Sequence, residues 1–417
     1  HFGDWGTPIG MILAEVISQD GSLDKMETYD IAQITRFYKQ ANLHCKEDEA
    51  AKENARVITA KFQDGDPVYR KAWQHIRKVS VDAVKENYRE LGVHFDLWLG
   101  ESDAHEVCFE VKKIAEQKGV LEYDDGAYII RLDEENKPKP PVIIEKSDGG
   151  FTYQATDIAT IKMRADDLKA DEIIYFVDKR QALHFEQVFE TVEKLGIAPG
   201  VKMQHIGFGT VNGADGKPFK TRDGGVMNLC DMIKMSKDKV AESMPAPDES
   251  KGITQEYIDC LVSQIAVGAI KFQDLKNNIA SGYIFELDDF ANFDGKTGPY
   301  IQYAVARINS IMRKNQDLTP GAVIITNPEE RQLALKLTQL NNVVFRAESD
   351  KEPSIISDYA YNLAQVFSSF YNTSPIIGAE TPQIAASRLA LAKLTRDVLV
   401  QLLYLLGIEA PEVMLKA

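Results

Sequence analysis

The feature that most constrains the fold is an alternation of helical and extended segments in the middle of the chain. Helical periodicity over 157–168 is followed by an apolar run at 173–177, an amphipathic segment at 182–195 and an extended run at 202–207. Strands that alternate with helices of this length form βαβ units, which build parallel sheets. Ligands of such sheets bind in a crevice at the carboxyl ends of the strands. The alternation therefore predicts an α/β domain with a ligand site at its strand ends.

Three polar side chains are placed where they could reach that crevice. Tyr153 and Asp157 are four residues apart, so in a helix they share one face near the end of the preceding strand. An aspartate pairs well with a guanidinium, because its two oxygens match the planar N–H fork. Gln181 follows the run at 173–177, where a strand-end loop would turn its amide inwards. On spacing alone, an N-cap role for Asp157 and a core position for Tyr153 are the commoner outcome, since aspartate is a favoured cap.

A glycine-rich loop at 213–225, GADGKPFKTRDGG, is the second candidate site. Its backbone N–H groups could wrap a phosphate, while Lys217, Lys220 and Arg222 neutralise the phosphate charge. Taken alone, a loop of glycine and lysine is more often a polar hairpin tip. Its interpretation as a phosphate site therefore depends on the residues around it.

A second basic motif, KMSK at 234–237, matches the letters of a well-known nucleotide-binding loop. It follows the segment VMNLCDMI, whose apolar spacing is helical, and no glycine flanks it. We therefore predict that these lysines lie on a solvated helix face and do not bind a nucleotide.

Composition narrows the class of protein. A chain of 417 residues is too long for one core and fits two or three domains. Its net charge of −15 argues against indiscriminate coating of nucleic acid, but allows a specific RNA site. No run approaches the roughly 18 apolar residues of a membrane helix, and the first residues do not resemble a signal peptide. The four cysteines are scattered without a C-x-x-C pair, so we expect no zinc site, reduced thiols and a cytoplasmic protein.

The chain divides into two predicted domains. We expect an α/β domain over 1–245, with helices and hairpins inserted at about 20–150. The segment MPAPDESKG at 244–252 is rich in proline and charge and is the expected linker. Apolar stripes at helical spacing follow over 253–417, which predicts a helix bundle.

Blocks spread over the whole chain resemble one family. HFGDWGTPIGM is similar to its H-x-G-D-W-G-T-Q-F-G segment, with Pro8 and Ile9 in place of glutamine and phenylalanine. FDLWLGESD, KSDGGFTYQATDIA and DKRQALHFEQVF resemble successive later blocks, and the loop at 213–225 resembles a variant KMSKS loop with Thr221 at the second lysine. GAIKFQDLKNNIASGYIFELDDF and GKTGPYIQYAVARINSI are similar to the start of an anticodon-binding domain. LAQVFSSFYNTSPI and SRLALAKLTRDVLVQLLYLLGIEAPEVM resemble its closing helices. The blocks stand in the order found in class I arginyl-tRNA synthetases.

The resemblance implies a fold and a reaction. The fold is a Rossmann-type parallel-sheet catalytic domain, incomplete at its N-terminus, followed by an all-α anticodon-binding domain. The reaction is activation of L-arginine by ATP with Mg²⁺ to arginyl-adenylate, and then transfer to tRNA(Arg). We expect a monomer with no membrane partner.

The resemblance also assigns roles to residues. Arginine is contacted by Tyr153, Asp157 and Gln181. The wall of the active site is formed by Asp4, Trp5, Gly6 and His184. The loop over ATP contains Lys217, Phe219, Lys220, Thr221, Arg222 and Gly224. The residues that touch tRNA are Leu275, Lys276, Asn277, Asn278, Tyr283, Tyr300, Tyr303 and Arg307.

One family motif has no counterpart in the sequence. Class I enzymes carry an H-x-G-H motif whose histidines stabilise the triphosphate, and the 417 residues contain none. We therefore expect that this chain alone cannot activate arginine. Two alternatives remain open: a non-catalytic arginine- or tRNA-binding fragment or paralogue, and a class I synthetase for a different amino acid. The second alternative turns on whether Asp157 binds arginine.

Overall fold

The computed structural model describes residues 1–132, 139–213, 216, 228–285 and 294–415. Contacts divide the chain into two compact units. The first comprises His1–Arg89 and His94–Ile206, and the second comprises Glu90–Val93 and Gly207–Ala417. Each unit has its own core and is described separately below.

The first unit begins with a layer of four helices. They are α1 (Thr7–Asp20), α2 (Ile31–Glu47), α3 (Glu49–Gln63) and α4 (Pro67–Glu90). Their apolar faces enclose a core that includes Trp5, Leu13, Phe37, Phe62 and Trp73. Each apolar face follows the 3.6-residue periodicity of an amphipathic helix.

The rest of the first unit carries the predicted alternation. Its elements are α5 (Glu101–Gln117), β1 (Glu122–Asp124), β2 (Ala127–Ile130), β3 (Val142–Glu145), α6 (Tyr153–Asp166), β4 (Glu172–Asp178), α7 (Ala182–Leu195) and β5 (Lys202–Phe208). Strands β1, β2 and β3 form an antiparallel sheet, as the hairpin signals predicted. Strand β4 is the hydrogen-bonded neighbour of β5, with α7 as the connection between them. Helices α5, α6 and α7 pack over one apolar core.

The second unit contains a short parallel strand pair and a helix bundle. Its elements are β6 (Val211–Asn212), α8 (Leu229–Ala241), α9 (Gln255–Leu275), β7 (Tyr283–Ile284), α10 (Gly298–Lys314), α11 (Pro328–Leu337), α12 (Leu340–Asp350), α13 (Ser354–Thr373) and α14 (Pro382–Leu405). Strands β6 and β7 pair in parallel. The predicted helix bundle is confirmed, and its core is dominated by leucine, isoleucine and phenylalanine from α10, α13 and α14. No helix in the described part of the chain is long and apolar enough to cross a membrane.

The KMSK motif at 234–237 lies inside α8, as predicted. Ser236 is buried and its hydroxyl donates to the Met232 carbonyl one turn earlier. Lys237 forms an ion pair with Glu90 at 2.6 Å. The motif is therefore a packed turn of a helix, and one of its two lysines is engaged in an ion pair.

A buried ion pair connects two helices of the bundle. The Nε atom of Arg388 in α14 donates to Oε1 of Glu330 in α11 at 2.7 Å, and both side chains are almost fully buried. The backbone N–H and hydroxyl of Thr326 also donate to Glu330. Burial by itself would raise the pKa of Glu330, but these hydrogen bonds and the guanidinium outweigh it and lower the pKa.

Candidate functional site

Helix α6 begins one turn before Asp157. The Thr152 hydroxyl accepts from the Ala155 N–H at 3.3 Å and caps the helix, which places Tyr153 in the first turn. Asp157 therefore lies inside the helix, so the N-cap interpretation of Asp157 is wrong. Tyr153 is 66% exposed, so the core interpretation of that residue is also wrong. Neither side chain therefore has the cap or core role that spacing alone favours.

A hydrogen bond joins Asp157 to the helix that follows β4. The Nε2 atom of His184, in the first turn of α7, lies 2.7 Å from Oδ2 of Asp157. The Tyr153 ring centroid lies 5.2 Å from that of His184. These three side chains therefore form one cluster at the carboxyl end of β4, where the alternation predicted a ligand crevice.

The cluster opens into a cleft of about 1080 Å³. Tyr153, Asp157, Gln181 and His184 all line this cleft. The structure thus brings together the residues expected to bind arginine and one of the residues expected to form the wall. The face of β4 and the α6 side chain Arg164 line the same space.

Two buried polar atoms in the cleft wall have no hydrogen-bond partner among the described residues. They are Nδ1 of His184 and the hydroxyl oxygen of Tyr175 on β4. Burial raises the pKa of Tyr175 above its ordinary value, so its hydroxyl stays protonated. A buried polar atom without a partner is costly, so both atoms are available to a molecule bound in the cleft.

A second carboxylate, Glu101, lines the cleft and was not singled out from the sequence. It is the first residue of α5. Burial raises its pKa to about 7, and the negative charges of Asp4 and Asp157 add to the rise, while a hydrogen bond from the Trp5 backbone opposes it. A cation bound between Glu101 and Asp157 would relieve this repulsion.

Asp4 and Trp5 are buried beside the first turn of α5. The Asp4 carboxylate accepts from Arg77 and Ser102, and the Trp5 ring packs against Phe62 and Trp73. Gly6 is the N-cap of α1. These three residues do not belong to the set that lines the cleft, so their expected role in the active-site wall stays a prediction.

The phosphate-type loop falls mostly beyond the described residues. Those outside are Lys217, Phe219, Lys220, Thr221, Arg222 and Gly224. The strand that leads into the loop, β6, is described. Before β6, a Cβ atom on Gly209 would come within 2.3 Å of the Ser281 backbone, so this close approach requires glycine.

The residues expected to touch tRNA make contacts within the second unit. Asn278 donates to Glu352 at 2.7 Å, and Tyr283 hydrogen-bonds Asp274. Arg307 lies over the Tyr371 ring at 4.7 Å. Four others also have internal contacts: Leu275 packs against the bundle core, Lys276 and Asn277 donate to backbone carbonyls, and Tyr300 packs against Tyr361. Tyr303 also has an internal interaction. Their contribution to RNA binding stays a prediction.

Comparison with known proteins finds matches over nearly the whole chain. The family model described as "tRNA synthetases class I (R), catalytic domain" matches residues 1–287, and the model of the DALR anticodon binding domain matches 301–414. The arginine–tRNA ligase of Francisella tularensis subsp. tularensis is 40% identical over 433 residues, which cover 99% of this chain and 73% of that protein.

Solved structures agree. The arginyl-tRNA synthetase of Plasmodium falciparum superposes with a TM-score of 0.81 at 26% identity, covering 99% of this chain and 69% of that one. The Thermus thermophilus arginyl-tRNA synthetase gives a TM-score of 0.79 at 23% identity, with coverage of 99% and 75%, and supports the fold.

A catalytic domain of this type followed by a DALR domain defines a class I aminoacyl-tRNA synthetase. The expected class, a parallel-sheet α/β domain followed by a helical anticodon-binding domain, is confirmed. The chain belongs to the arginyl-tRNA synthetase family. The family match decides against a synthetase for a different amino acid.

Proposed function

We propose that the cleft lined by Asp157 and Glu101 binds L-arginine for ligation to tRNA(Arg). The ligase assignment follows from family membership. The observation that carries the site is the pair of carboxylates, which come from α6 and α5 and line one cleft. Burial, together with the charges of Asp4 and Asp157, raises the pKa of Glu101, and a cationic ligand would offset these effects.

A guanidinium suits the cleft better than an ammonium group does. His184 occupies Oδ2 of Asp157, while Oδ1 has no hydrogen-bond partner within the described residues. The planar guanidinium has enough N–H groups to reach Oδ1 and Glu101 together. Lysine presents a compact charge that would leave one of these buried acceptors unmatched, at a cost in binding free energy.

The aromatic and amide groups complete the arginine site. The exposed ring of Tyr153 provides one wall, and Gln181 lies at the start of α7 where its amide can reach the ligand. The enzyme then needs little acid–base chemistry. It holds the arginine carboxylate in line with the α-phosphate of ATP, so that the carboxylate oxygen attacks phosphorus and pyrophosphate leaves.

We propose that ATP is held by the loop at 213–225. Lys217, Lys220 and Arg222 supply positive charge in its sequence, and Phe219, Thr221 and Gly224 complete the loop. In the described part of the chain, no group of three or more His, Cys, Asp or Glu side chains is arranged to hold a metal ion. Mg²⁺ therefore enters with the ATP phosphates, which it commonly binds in preference to a protein cage.

For the rest of the chain, we propose a catalytic domain over 1–245 and an anticodon-binding domain over 253–417. The residues near 275–290 and on α10 lie against tRNA(Arg), and the protein is a cytoplasmic monomer. Size-exclusion chromatography with light scattering tests the monomer, because a dimeric mass would contradict it.

We also propose that residues 1–417 alone do not activate arginine, since they contain no H-x-G-H motif. ATP–pyrophosphate exchange by this chain with tRNA present tests the point. No exchange is expected. Exchange at the rate of a complete family member would contradict the proposal, whereas arginine binding without exchange would fit it. A paralogue that lost catalysis would show no exchange even when a complete H-x-G-H segment is supplied.

Calorimetric titration tests the arginine site directly. We expect binding of L-arginine, much weaker binding of L-lysine, and much weaker binding of L-citrulline, which replaces the guanidinium with a neutral group. Asp157→Asn should weaken arginine binding by about tenfold or more, since it removes half of a charge-assisted pair. Asp166→Asn, at the exposed end of the same helix, is the matched control and should bind like the wild type. Unchanged arginine affinity in Asp157→Asn would overturn the assignment.

A further inference from the structure

A clamp of charged groups lies next to Glu101. Arg77, on α4, donates from Nε to Oδ2 of Asp4 at 2.6 Å and from Nη2 to Oδ2 of Asp103 at 2.9 Å. The Asp4 side chain is only 7% exposed. Hydrogen bonds from a guanidinium to partly buried carboxylates are among the stronger ones in proteins, so Arg77 fixes both carboxylates.

The two carboxylates in turn fix the first turn of α5. Asp4 accepts from the Ser102 N–H at 3.0 Å and from the Ser102 hydroxyl at 2.8 Å. Asp103 accepts from the Gly100 N–H at 2.8 Å. A Cβ atom on Gly100 would lie 2.4 Å from Oδ1 of Asp4, so the approach of Asp4 requires glycine there. Asp4 therefore provides an acceptor for the Ser102 N–H, one of the first-turn N–H groups that have no acceptor within the helix.

Glu101 is held from both sides by the segment that contains Asp4. The Glu101 N–H donates to the Phe2 carbonyl at 2.9 Å, and its carboxylate accepts from the Trp5 backbone N–H. The Trp73 indole N–H donates to the Asp4 carbonyl at 2.6 Å and ties the segment to α4. Within the described part of the chain, the two backbone groups that hydrogen-bond Glu101 thus lie within two residues of Asp4.

We propose that Asp4, held by Arg77, is a positioning residue that directs the Glu101 carboxylate into the arginine cleft and sets the charge it carries there. The proposal rests on the arginine site proposed above and deepens it. Asp4 and Arg77 do not line the cleft themselves, so both act through Glu101. Asp4 opposes ionisation of Glu101, and the guanidinium of a bound arginine reverses that effect.

Among the described residues, the charged and titratable groups around Glu101 come from the N-terminal segment and from four helices. Asp4 lies in the N-terminal segment, and Asp157 lies on α6 with its His184 partner on α7. Arg77 acts from α4 by neutralising Asp4, and Cys108 lies on α5 itself, where burial raises its pKa to about 12. Since that thiol stays protonated, the charge of Glu101 depends on its burial and on the charges of Asp4 and Asp157.

The two substitutions should move pH dependence in opposite directions. Arginine binding should weaken on the acid side as Glu101 takes up a proton. The acid limb is the part of the curve of arginine affinity against pH where affinity falls on the acid side. Asp4→Asn removes a negative neighbour of Glu101, so this acid limb should move to lower pH. Arg77→Gln leaves Asp4 and Asp103 without their cation, so the limb should move to higher pH. Arg77→Lys keeps the charge but loses the fork, so it should lower affinity about tenfold without moving the limb.

The test is calorimetric titration of L-arginine into residues 1–417 between about pH 5.5 and about pH 8.5. Glu101→Gln is the reference variant and should abolish the acid limb. Arg89→Gln, which alters an exposed arginine on α4 paired with the surface residue Glu86, is the matched control and should behave like the wild type. Circular dichroism establishes that each variant is folded.

Each outcome of this titration either supports or overturns the positioning role of Asp4. Opposite movements of the acid limb in Asp4→Asn and Arg77→Gln support the proposal. Wild-type curves in both variants, or weaker binding with an unmoved limb in both, would overturn it while Asp157→Asn still tests the arginine site. If Asp4→Asn does not fold, Arg77→Gln and Arg77→Lys decide together, because a role in folding alone predicts no movement in either. Failure of the wild type to bind arginine would overturn the positioning role together with the site.

Discussion

The Nε2 atom of His184 lies 2.7 Å from Oδ2 of Asp157, and this contact joins the first turn of α7 to the second turn of α6. Both side chains are largely buried at the edge of the cleft. The contact restricts the rotamer of Asp157, which lines the cleft. Fixing a recognition group before the ligand arrives reduces the entropy lost on binding.

The first prediction concerns this contact. His184→Ala should weaken arginine binding by roughly tenfold, because Asp157 loses the partner that orients it. Asp157 would still be present and charged, so the loss should be smaller than in Asp157→Asn. Calorimetry measures both. His44→Gln, which alters an exposed histidine on α2 that is paired with Glu15, is the control. An affinity equal to that of the wild type would show that the contact does not prepare the site.

The second prediction concerns stability and pH at Glu101. Its folded pKa, about 7, lies above the ordinary value of 4.5, so the folded state holds a proton that the unfolded state releases. The stability that comes from the protonated form is therefore complete below pH 4.5 and is lost as the pH rises to about 7. Glu101→Gln, which stays neutral, should raise the unfolding midpoint above that of the wild type at pH 8 by a few degrees.

The difference between Glu101→Gln and the wild type should shrink as the pH falls toward 4.5, because the wild-type carboxyl is then neutral as well. Thermal unfolding followed by circular dichroism at several pH values measures it. Glu106→Gln, on the same helix, is a control that keeps the length of the side chain. A difference in midpoint that does not change with pH would contradict the raised pKa.

The third prediction concerns the buried pair of the helix bundle. Glu330→Gln should destabilise the second unit by about 3 kcal/mol, because it leaves the Arg388 guanidinium buried without its charge partner. Urea unfolding measures the loss. Glu380→Gln removes a solvent-exposed partner of the same arginine and should have a much smaller effect. Equal effects of the two substitutions would contradict the importance of burial.

The same ion pair also predicts how the stability of the second unit changes as the pH falls. The pKa of Glu330 is lowered in the folded state, so its contribution is present above the ordinary range of the carboxyl and is lost as the pH falls through the lowered value. Stability should therefore fall less between neutral and acid pH in Glu330→Gln than in the wild type.

The fourth prediction separates the two basic motifs. Lys220→Ala, in the loop at 213–225, should weaken binding of ATP with Mg²⁺, whereas Lys237→Ala, in the KMSK turn of α8, should not. Lys237 already pairs with Glu90, and its turn is packed within a helix. Calorimetry with ATP measures both. Loss of ATP binding in Lys237→Ala but not in Lys220→Ala would reverse the assignment.

Much of the fold could be predicted because its signals are local. Helix α7 runs over Ala182–Leu195 as its apolar period predicts, and it ends at Gly196 in the left-handed conformation that glycine favours. Helix α6 begins four residues earlier than expected, since the Thr152 hydroxyl caps it. A cap of this kind depends on one hydrogen bond, which a periodicity cannot show.

The candidate site could be predicted only in part. Tyr153 and Asp157 share a helix, so their spacing places them together. Glu101 lies far from them in sequence and reaches the cleft through the contacts of α5 with the N-terminal segment. No pattern along the chain indicates that Asp4 and Arg77 would meet beside it. Such relationships arise from tertiary packing, which buries Glu101 and brings the charge of Asp4 near it.

A double-mutant cycle on arginine affinity tests the central claim, that one guanidinium lies between Asp157 and Glu101, most directly. It compares the wild type, Asp157→Asn, Glu101→Gln and the double variant at about pH 8, which is above the raised pKa of Glu101. If one guanidinium contacts both carboxylates, each single variant loses affinity and the double variant loses clearly less than the sum. Additive losses, or single variants that bind arginine as tightly as the wild type, would contradict the account.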